Sequence, residues 1–144
     1  MEKKNRGVGV IVGRWQSPYL HEGHKHLINT ALSENDRVVI VIGCTKGGTV
    51  DERNPYDFAQ RLNMIRRQYP DTKKVTFDYI IDVDDDKKWS DKLDDILDQY
   101  IHDSPTLYGS RDSFISHYKG SYAYREVEEI PNVSATKIRE ELNG

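Results

Sequence analysis

The chain has 144 residues, 36% of them hydrophobic and 31% charged, the size and balance of one soluble domain (1–144) with a single core. A formal net charge of −3 excludes nucleic-acid binding by a broadly basic surface, though not a local basic pocket. One cysteine, Cys44, excludes an intrachain disulfide; no apolar run is long enough to span a membrane, and Met1-Glu2-Lys3-Lys4 lacks the apolar segment of a signal peptide, so no membrane association and a cytoplasmic location are expected.

In chain order, apolar β-branched runs alternate with helical patterns. Val8 to Val12 reads as a buried strand. Leu27, Ile28, Ala31 and Leu32 then recur at helical spacing, with His24 on the same face. Val38 to Ile42 is a second buried strand, followed by a polar, glycine-containing loop from Gly43 to Asn54. Asn54-Pro55 is expected to open the next helix, since proline suits a first helical turn. Phe58, Leu62, Ile65 and Tyr69 mark its buried stripe, and Pro70 helps end it. Val75 to Ile81 is a third strand, and Asp82 to Lys88 an acidic loop. Trp89, Leu93, Ile96, Leu97, Tyr100 and Ile101 form another amphipathic stripe. Thr106 to Tyr108 is a short strand ending at Gly109, with Tyr108 read as core. A helix from about Arg111 to Tyr118 and a strand near Ala123 to Val127 follow. Ser134 then reads as the N-cap of a last helix that turns Ala135, Ile138 and Leu142 inward.

Parallel strands need crossover helices, so this alternation predicts a Rossmann-like, doubly wound parallel α/β sheet of about five strands. Ligands bind such sheets at the C-terminal ends of the strands, which is where the polar motifs fall. Gly7-Val8-Gly9-Val10-Ile11-Val12-Gly13 is not a dinucleotide fingerprint, because its glycines lie within a strand. Gly43-Cys44-Thr45-Lys46-Gly47-Gly48-Thr49 lacks the Gly-Lys-Ser/Thr order of a P-loop.

His21-Glu22-Gly23-His24 stands between a strand and a helix. Two histidines split by a glycine can face one phosphate there, with the free N–H groups and dipole of the helix start favouring negative charge. A zinc site is disfavoured: His26 points elsewhere on the helix, and no cysteine or carboxylate stands at ligand spacing, so no protein metal ligand is assigned. Taken alone, the pair is also compatible with an exposed cap histidine and a core histidine.

Gly13-Arg14-Trp15-Gln16, followed by His21-Glu22-Gly23-His24, resembles the G-R-x-Q…H-x-G-H signature of the nucleotidyltransferase superfamily, most like the nicotinamide-nucleotide adenylyltransferases. Val133-Ser134-Ala135-Thr136-Lys137-Ile138-Arg139 is similar to that family's I-S-S/T-x-x-x-R motif. Arg53-Asn54-Pro55-Tyr56, with Arg61 further on, looks like its R-N/D-P-F…E-R segment. The Asp-rich loop leading to Trp89 resembles the nicotinamide-binding stretch, and Leu107-Tyr108-Gly109-Ser110-Arg111-Asp112 the strand end that meets the nucleotide. The resemblance runs in order from about residue 8 to 142. It departs at Ser17-Pro18-Tyr19-Leu20, which make the loop before His21 two residues longer, and at Gln60, which leaves Arg61 without a carboxylate neighbour.

The resemblance implies transfer of an adenylyl group from ATP to nicotinamide mononucleotide, giving NAD and pyrophosphate by in-line attack without a covalent enzyme intermediate. His21, His24 and Arg139 would be the catalytic residues. Gly13, Arg14, Gly23, Gly109, Arg111, Asp112, Ser134 and Thr136 would join them in binding ATP, which arrives with Mg2+. Arg53 would hold the acceptor's phosphate. Trp89 would stack on the pyridinium ring, with Asp84 or Asp85 on its carboxamide; from the residues alone, Trp89 is equally the first core residue of its helix. Asp82, Asp84, Asp85 and Asp86 read as a solvated acidic loop before they read as a magnesium site. Relatives imply a possible homo-oligomer. Two other functions remain open at this point: a cytidylyltransferase or other adenylyltransferase with a different phosphate acceptor, against which Gly-Arg-Trp-Gln and Trp89 speak, and a non-catalytic nucleotide sensor.

Overall fold

The computed structural model describes residues 7–48, 50–52, 54–110 and 113–128. The expected last helix, with Ser134, Ala135, Ile138 and Leu142, lies outside them. The strands are β1 (Val8–Gly13), β2 (Arg37–Cys44), β3 (Val75–Ile81), β4 (Thr106–Gly109) and β5 (Tyr124–Glu126); β1 and β2 are buried apolar runs, whereas β5 is the exposed Tyr-Arg-Glu. They make one sheet in the order β3-β2-β1-β4-β5, and every neighbouring pair is parallel. From β1 the chain first winds outward to β2 and β3, then returns to β4 and β5 on the other side. The reversal lies between β1 and β4, so a crevice opens there at the C-terminal ends of the strands.

Helices α1 (Glu22–Glu34), α2 (Phe58–Gln68) and α3 (Asp86–Asp98) make the crossovers between β1 and β2, β2 and β3, and β3 and β4. Alternation along the strands decides which face each helix covers. Ile11, Val38, Ile40 and Ile42 pack with Ile28 and Ala31 of α1 and Met64 and Ile65 of α2. Val8, Val10, Val12, Val39 and Val41 face the other way, onto Leu93 and Leu97 of α3. Both faces of β1 and β2 are therefore apolar, as a sheet covered on two sides requires.

The contact of α1 with β1 aims the helix start at the crevice, and Gly9 makes it close. A Cβ built at Gly9 would lie 2.9 Å from Asn35 Nδ2, 3.2 Å from the Ala31 Cβ and 3.2 Å from Tyr108 Cε1. The far end of α1 is tied down by polar contacts. Buried Asn35 donates to Ala31 O at 2.9 Å and to Tyr108 Oη at 3.0 Å, and Tyr108 donates to Glu34 Oε1 at 2.7 Å. Arg125 of β5 pairs with the other Glu34 oxygen at 3.0 Å. Tyr108 is core, as expected, at 2% exposure.

Three boundaries differ from expectation. Helix α2 begins at Phe58, not at Pro55: Asp57 and Gln60 form a reciprocal capping box, with bonds of 2.8 Å in each direction. Asn54 instead closes a loop onto Asp51 Oδ1 at 2.8 Å. Helix α3 begins inside the expected acidic loop, because Asp85 accepts from Lys88 N at 2.8 Å and caps it. The helix expected from about Arg111 to Tyr118 is, among the described residues, one 3-10 turn, Phe114–His117. Beyond it the chain is held by side chains of α3: Tyr118 and Tyr122 bond to Asp94 and Asp98, and Ser90 Oγ accepts from Lys119 N at 2.7 Å. No helix among the described residues is long and apolar enough to cross a membrane.

Gly9→Val inserts a branched side chain where α1 already touches the sheet. Overpacking of this kind costs about 1–3 kcal/mol, so a urea-unfolding midpoint well below that of the wild type is expected; an unchanged midpoint contradicts the packing described.

Candidate active site

The start of α1 is built from the two histidines. His21 is the N-cap, and its Nδ1 accepts from Gly23 N at 3.1 Å and His24 N at 3.3 Å. These amides are therefore not free, as the sequence reading had them; the His21 ring occupies the position a phosphate oxygen would take. The cap also sets the tautomer. A nitrogen that accepts two N–H groups carries no proton, so the His21 proton sits on Nε2 as an outward donor. Burial, opposed by the Glu22 charge, holds its pKa below the ordinary histidine value.

His24 lies directly beneath, its ring stacked on His21 at 3.7 Å between centroids and 20° between planes. Trp15 closes the other side, 4.9 Å from the His24 ring. Burial, reinforced by the His21 charge, pushes the His24 pKa down to about 3; the ring is neutral at physiological pH. His24 Nδ1 and Trp15 Nε1 are both buried without a hydrogen-bond partner among the described residues. Trp15 holds a left-handed backbone, φ 56°, which a bulky residue adopts only under constraint. Its indole lies against Gly13, where a Cβ would come within 3.1 Å of Nε1.

Two buried side chains supply that constraint, and neither was assigned a role from the sequence. Gln16 exchanges two bonds with the Tyr56 backbone, donating to its carbonyl at 3.0 Å and accepting from its N–H at 2.9 Å. Arg61, 5% exposed, donates to Arg14 O at 2.9 Å, Gly43 O at 2.6 Å and Asp57 O at 3.1 Å, and reaches Cys44 Sγ at 3.7 Å. Carbonyl dipoles replace the carboxylate whose lack Gln60 signalled. Gln16 and Tyr56, and Arg61 with Arg14 and Gly43, are far apart in sequence, which is why periodicity could not find these contacts; both side chains stand in the motifs quoted from the sequence, which carried no role for them.

Two cavities flank this constellation at the C-terminal edge of the sheet. One, of about 260 Å³, is lined by Gly13, Arg14, His21, Gly23, His24 and Ser110 among others. His26 is exposed but lines it too, nearer the site than expected. The other, of about 610 Å³, is lined by Asp82, Asp84, Asp86, Trp89, Phe114 and His117 among others. Val12, Gly13, Arg14 and Ser113 belong to both. Half-buried Trp89 packs against the core on the α3 side, as the core reading of it expects, and also lines this second cavity. Asp84 lines the cavity, whereas Asp85 is spent as the α3 cap. Gly109 is covered by Ser113, whose Oγ lies 2.5 Å from a Cβ built there. Arg53, Arg111, Asp112, Ser134, Thr136 and Arg139 lie outside the described residues. Among those described, no group of three or more histidine, cysteine or carboxylate side chains is placed to hold a metal ion.

Comparison with known proteins agrees with this geometry. The family model described as cytidylyltransferase-like matches residues 11–141. A nicotinamide/nicotinic acid mononucleotide adenylyltransferase of Acinetobacter baylyi is 28% identical over 144 residues, covering 91% of this chain and 72% of that protein. A nicotinamide-nucleotide adenylyltransferase of Caldivirga maquilingensis is 38% identical over 58 residues, 40% of this chain and 31% of that protein. The solved structure of a bifunctional NMN adenylyltransferase/ADP ribose pyrophosphatase from Francisella tularensis, complexed with AMP and a manganese ion, superposes with a TM-score of 0.80 at 29% identity. It covers 96% of this chain, and this chain spans 42% of that one.

Two measurements test the histidines separately. His21→Ala removes the cap and is expected to lower stability by about 1 kcal/mol, whereas His21→Asn, itself a good cap, keeps most of it; equal losses in calorimetry would show that the cap is not what stabilises α1. For His24, the unfolded chain takes up a proton near pH 6.5 that the folded one refuses until about pH 3. Stability therefore falls as pH falls through that window, by up to about 1.4 kcal/mol per pH unit. Between pH 6.5 and 5 the unfolding free energy of His24→Gln should fall less steeply than that of the wild type, and parallel curves would refute the assignment.

Proposed function

The chain belongs to the cytidylyltransferase-like family, and on that premise we propose that it transfers the adenylyl group of ATP to nicotinamide mononucleotide, forming NAD and pyrophosphate. The observation that carries this reading is the pair of adjoining cavities sharing Gly13, Arg14 and Ser113: His21, His24 and His26 line the smaller, beside Trp15 and Glu128, and Trp89 with Asp82, Asp84 and Asp86 lines the larger. Phosphate chemistry fits the first, a flat cationic ring the second. The names of the Acinetobacter, Caldivirga and Francisella relatives support the same acceptor.

In this reading an oxygen of the acceptor's phosphate attacks the α-phosphorus of ATP. The bond from that phosphorus to the bridging oxygen breaks, and pyrophosphate leaves with the electron pair. The attacking oxygen is already ionised, so no protein nucleophile or base is needed; the protein aligns the partners and neutralises charge. His21 donates from Nε2 and His24 from its cavity side. A triphosphate beside the neutral His24 shifts its pKa upward from about 3, and the neutral ring can donate one N–H to it. Arg14 takes the β and γ phosphates, and Gly13 and Gly23 leave room for close approach. Gly109, Arg111, Asp112, Ser134, Thr136 and Arg139 complete the nucleotide side, Arg53 the acceptor phosphate. Trp89 and Asp84 take the ring and its carboxamide. Magnesium enters with the triphosphate as part of the substrate, held by phosphate oxygens and water.

The test is pyrophosphate release with magnesium, offering ATP or CTP with nicotinamide mononucleotide, nicotinic acid mononucleotide, phosphopantetheine or glycerol 3-phosphate. Turnover with ATP and nicotinamide mononucleotide is expected. Loss of one donor to developing charge costs about 100- to 1,000-fold in kcat, so His24→Ala should lose that much with far less change in the KM for ATP. Turnover only with another pair replaces the acceptor, and nucleotide binding without any turnover overturns the catalytic reading.

A further inference from the structure

Arg14 lines both cavities, and in this structure its charge is committed to the second. Arg14 Nη2 donates to Asp82 Oδ1 at 2.7 Å. The pair bridges the ends of β1 and β3, across the end of β2 that separates them in the sheet. The arginine side chain runs over the backbone of Gly43, where a Cβ would stand at ordinary contact distance, 3.9 Å, from both Arg14 Cδ and Nη1. Both ends are fixed from behind, the Arg14 carbonyl by Arg61 and the Asp82 N–H by Cys44 O at 2.9 Å. The side chains themselves are partly exposed, 48% and 36%, and an ion pair so placed is weak enough for a strong competitor to open.

Resting on the functional reading above, we propose that Asp82 couples the two substrates: the triphosphate draws Arg14 away from Asp82, and the released carboxylate then attracts the cationic ring of the acceptor. While paired, Arg14 cancels one of the three carboxylates of the acceptor cavity, Asp82, Asp84 and Asp86, and His117 stands 3.4 Å from Asp86. A triphosphate offers Arg14 several anionic oxygens and bidentate geometry, more than one carboxylate can match. Its departure leaves Asp82 as an added negative charge in a cavity that already carries Trp89. Linkage makes the effect reciprocal: a bound cationic ring competes with Arg14 for Asp82 and so frees the arginine for the nucleotide. Asp82 thus acts as a positioning residue through Arg14, favouring the acceptor after the nucleotide.

The test is calorimetric affinity for nicotinamide mononucleotide, with and without a non-hydrolysable ATP analogue and magnesium, in the wild type, Asp82→Asn and Asp82→Glu. Couplings of this kind start at about 5-fold. The analogue should tighten the mononucleotide at least that much in the wild type and in Asp82→Glu, and less than about 2-fold in Asp82→Asn. The mononucleotide with its ring reduced to the uncharged dihydropyridine should gain equally little in all three. Asp82→Asn should also bind the analogue itself more tightly than the wild type, the opposite of what a damaged site does. An equal gain in wild type and Asp82→Asn overturns this proposal alone. Failure of the mononucleotide to bind any form, while the analogue binds, overturns the acceptor assignment and this proposal with it.

Discussion

Everything at the mouth of the sheet depends on one buried guanidinium. Among the described residues no carboxylate pairs with Arg61; three carbonyls and the Cys44 sulfur take its charge. A buried charge costs several kcal/mol unless its hydrogen bonds are made, so the segments that supply those carbonyls are held at fixed distances. They are the loop after β1, the end of β2 and the cap of α2. Gln16, doubly bonded to Tyr56, repeats the same clamp one residue pair further out. Trp15 keeps its left-handed backbone because both of its neighbours are held in this way.

That clamp also serves the histidine pair. The helix start is positioned by the close approach of α1 to Gly9, and the preceding loop by Gln16 and Arg61, so residues 17–20 run between two fixed points. His21 then falls at the N-cap and fills the anion seat with its own ring nitrogen. The same ring presents its Nε2 donor on the outer side. His24, stacked beneath it, is neutral at physiological pH, and its Nδ1, like Trp15 Nε1, has no hydrogen-bond partner among the described residues.

The cavities divide the chemistry. Three histidines, Arg14, Trp15 and Glu128 are among the residues lining the smaller one; three carboxylates, Arg14, His117, Trp89 and Phe114 are among those lining the larger. Among the described residues, Arg14 is the only charged side chain lining both. Its partner Asp82 lines the larger cavity, although the family resemblance places the work of Arg14 on the triphosphate. A residue shared in this way makes the two sites electrostatically dependent on each other.

Much of this was legible in the sequence. The runs Val8–Val12, Val38–Ile42 and Val75–Ile81 announce strands because β-branched residues buried on both faces leave few alternatives, and the helical stripes between them require parallel crossovers. His21, His24 and Arg14 announce phosphate chemistry because their spacing around Gly13 and Gly23 brings them to one strand end. Local chemistry misled where two signals competed: Pro55 looked like a helix start, but the reciprocal bonds of Asp57 and Gln60 satisfy more backbone groups and set the boundary. What only the tertiary structure decided is which polar atoms meet across the sheet ends. Arg61 on the carbonyls of Arg14 and Gly43 and Arg14 reaching Asp82 across the end of β2 are choices among partners remote in sequence, and His21 turned back on its own helix is a local choice that residue spacing does not encode. Periodicity encodes which face of an element is buried; it carries no record of which partner a long polar side chain finds once the elements have packed.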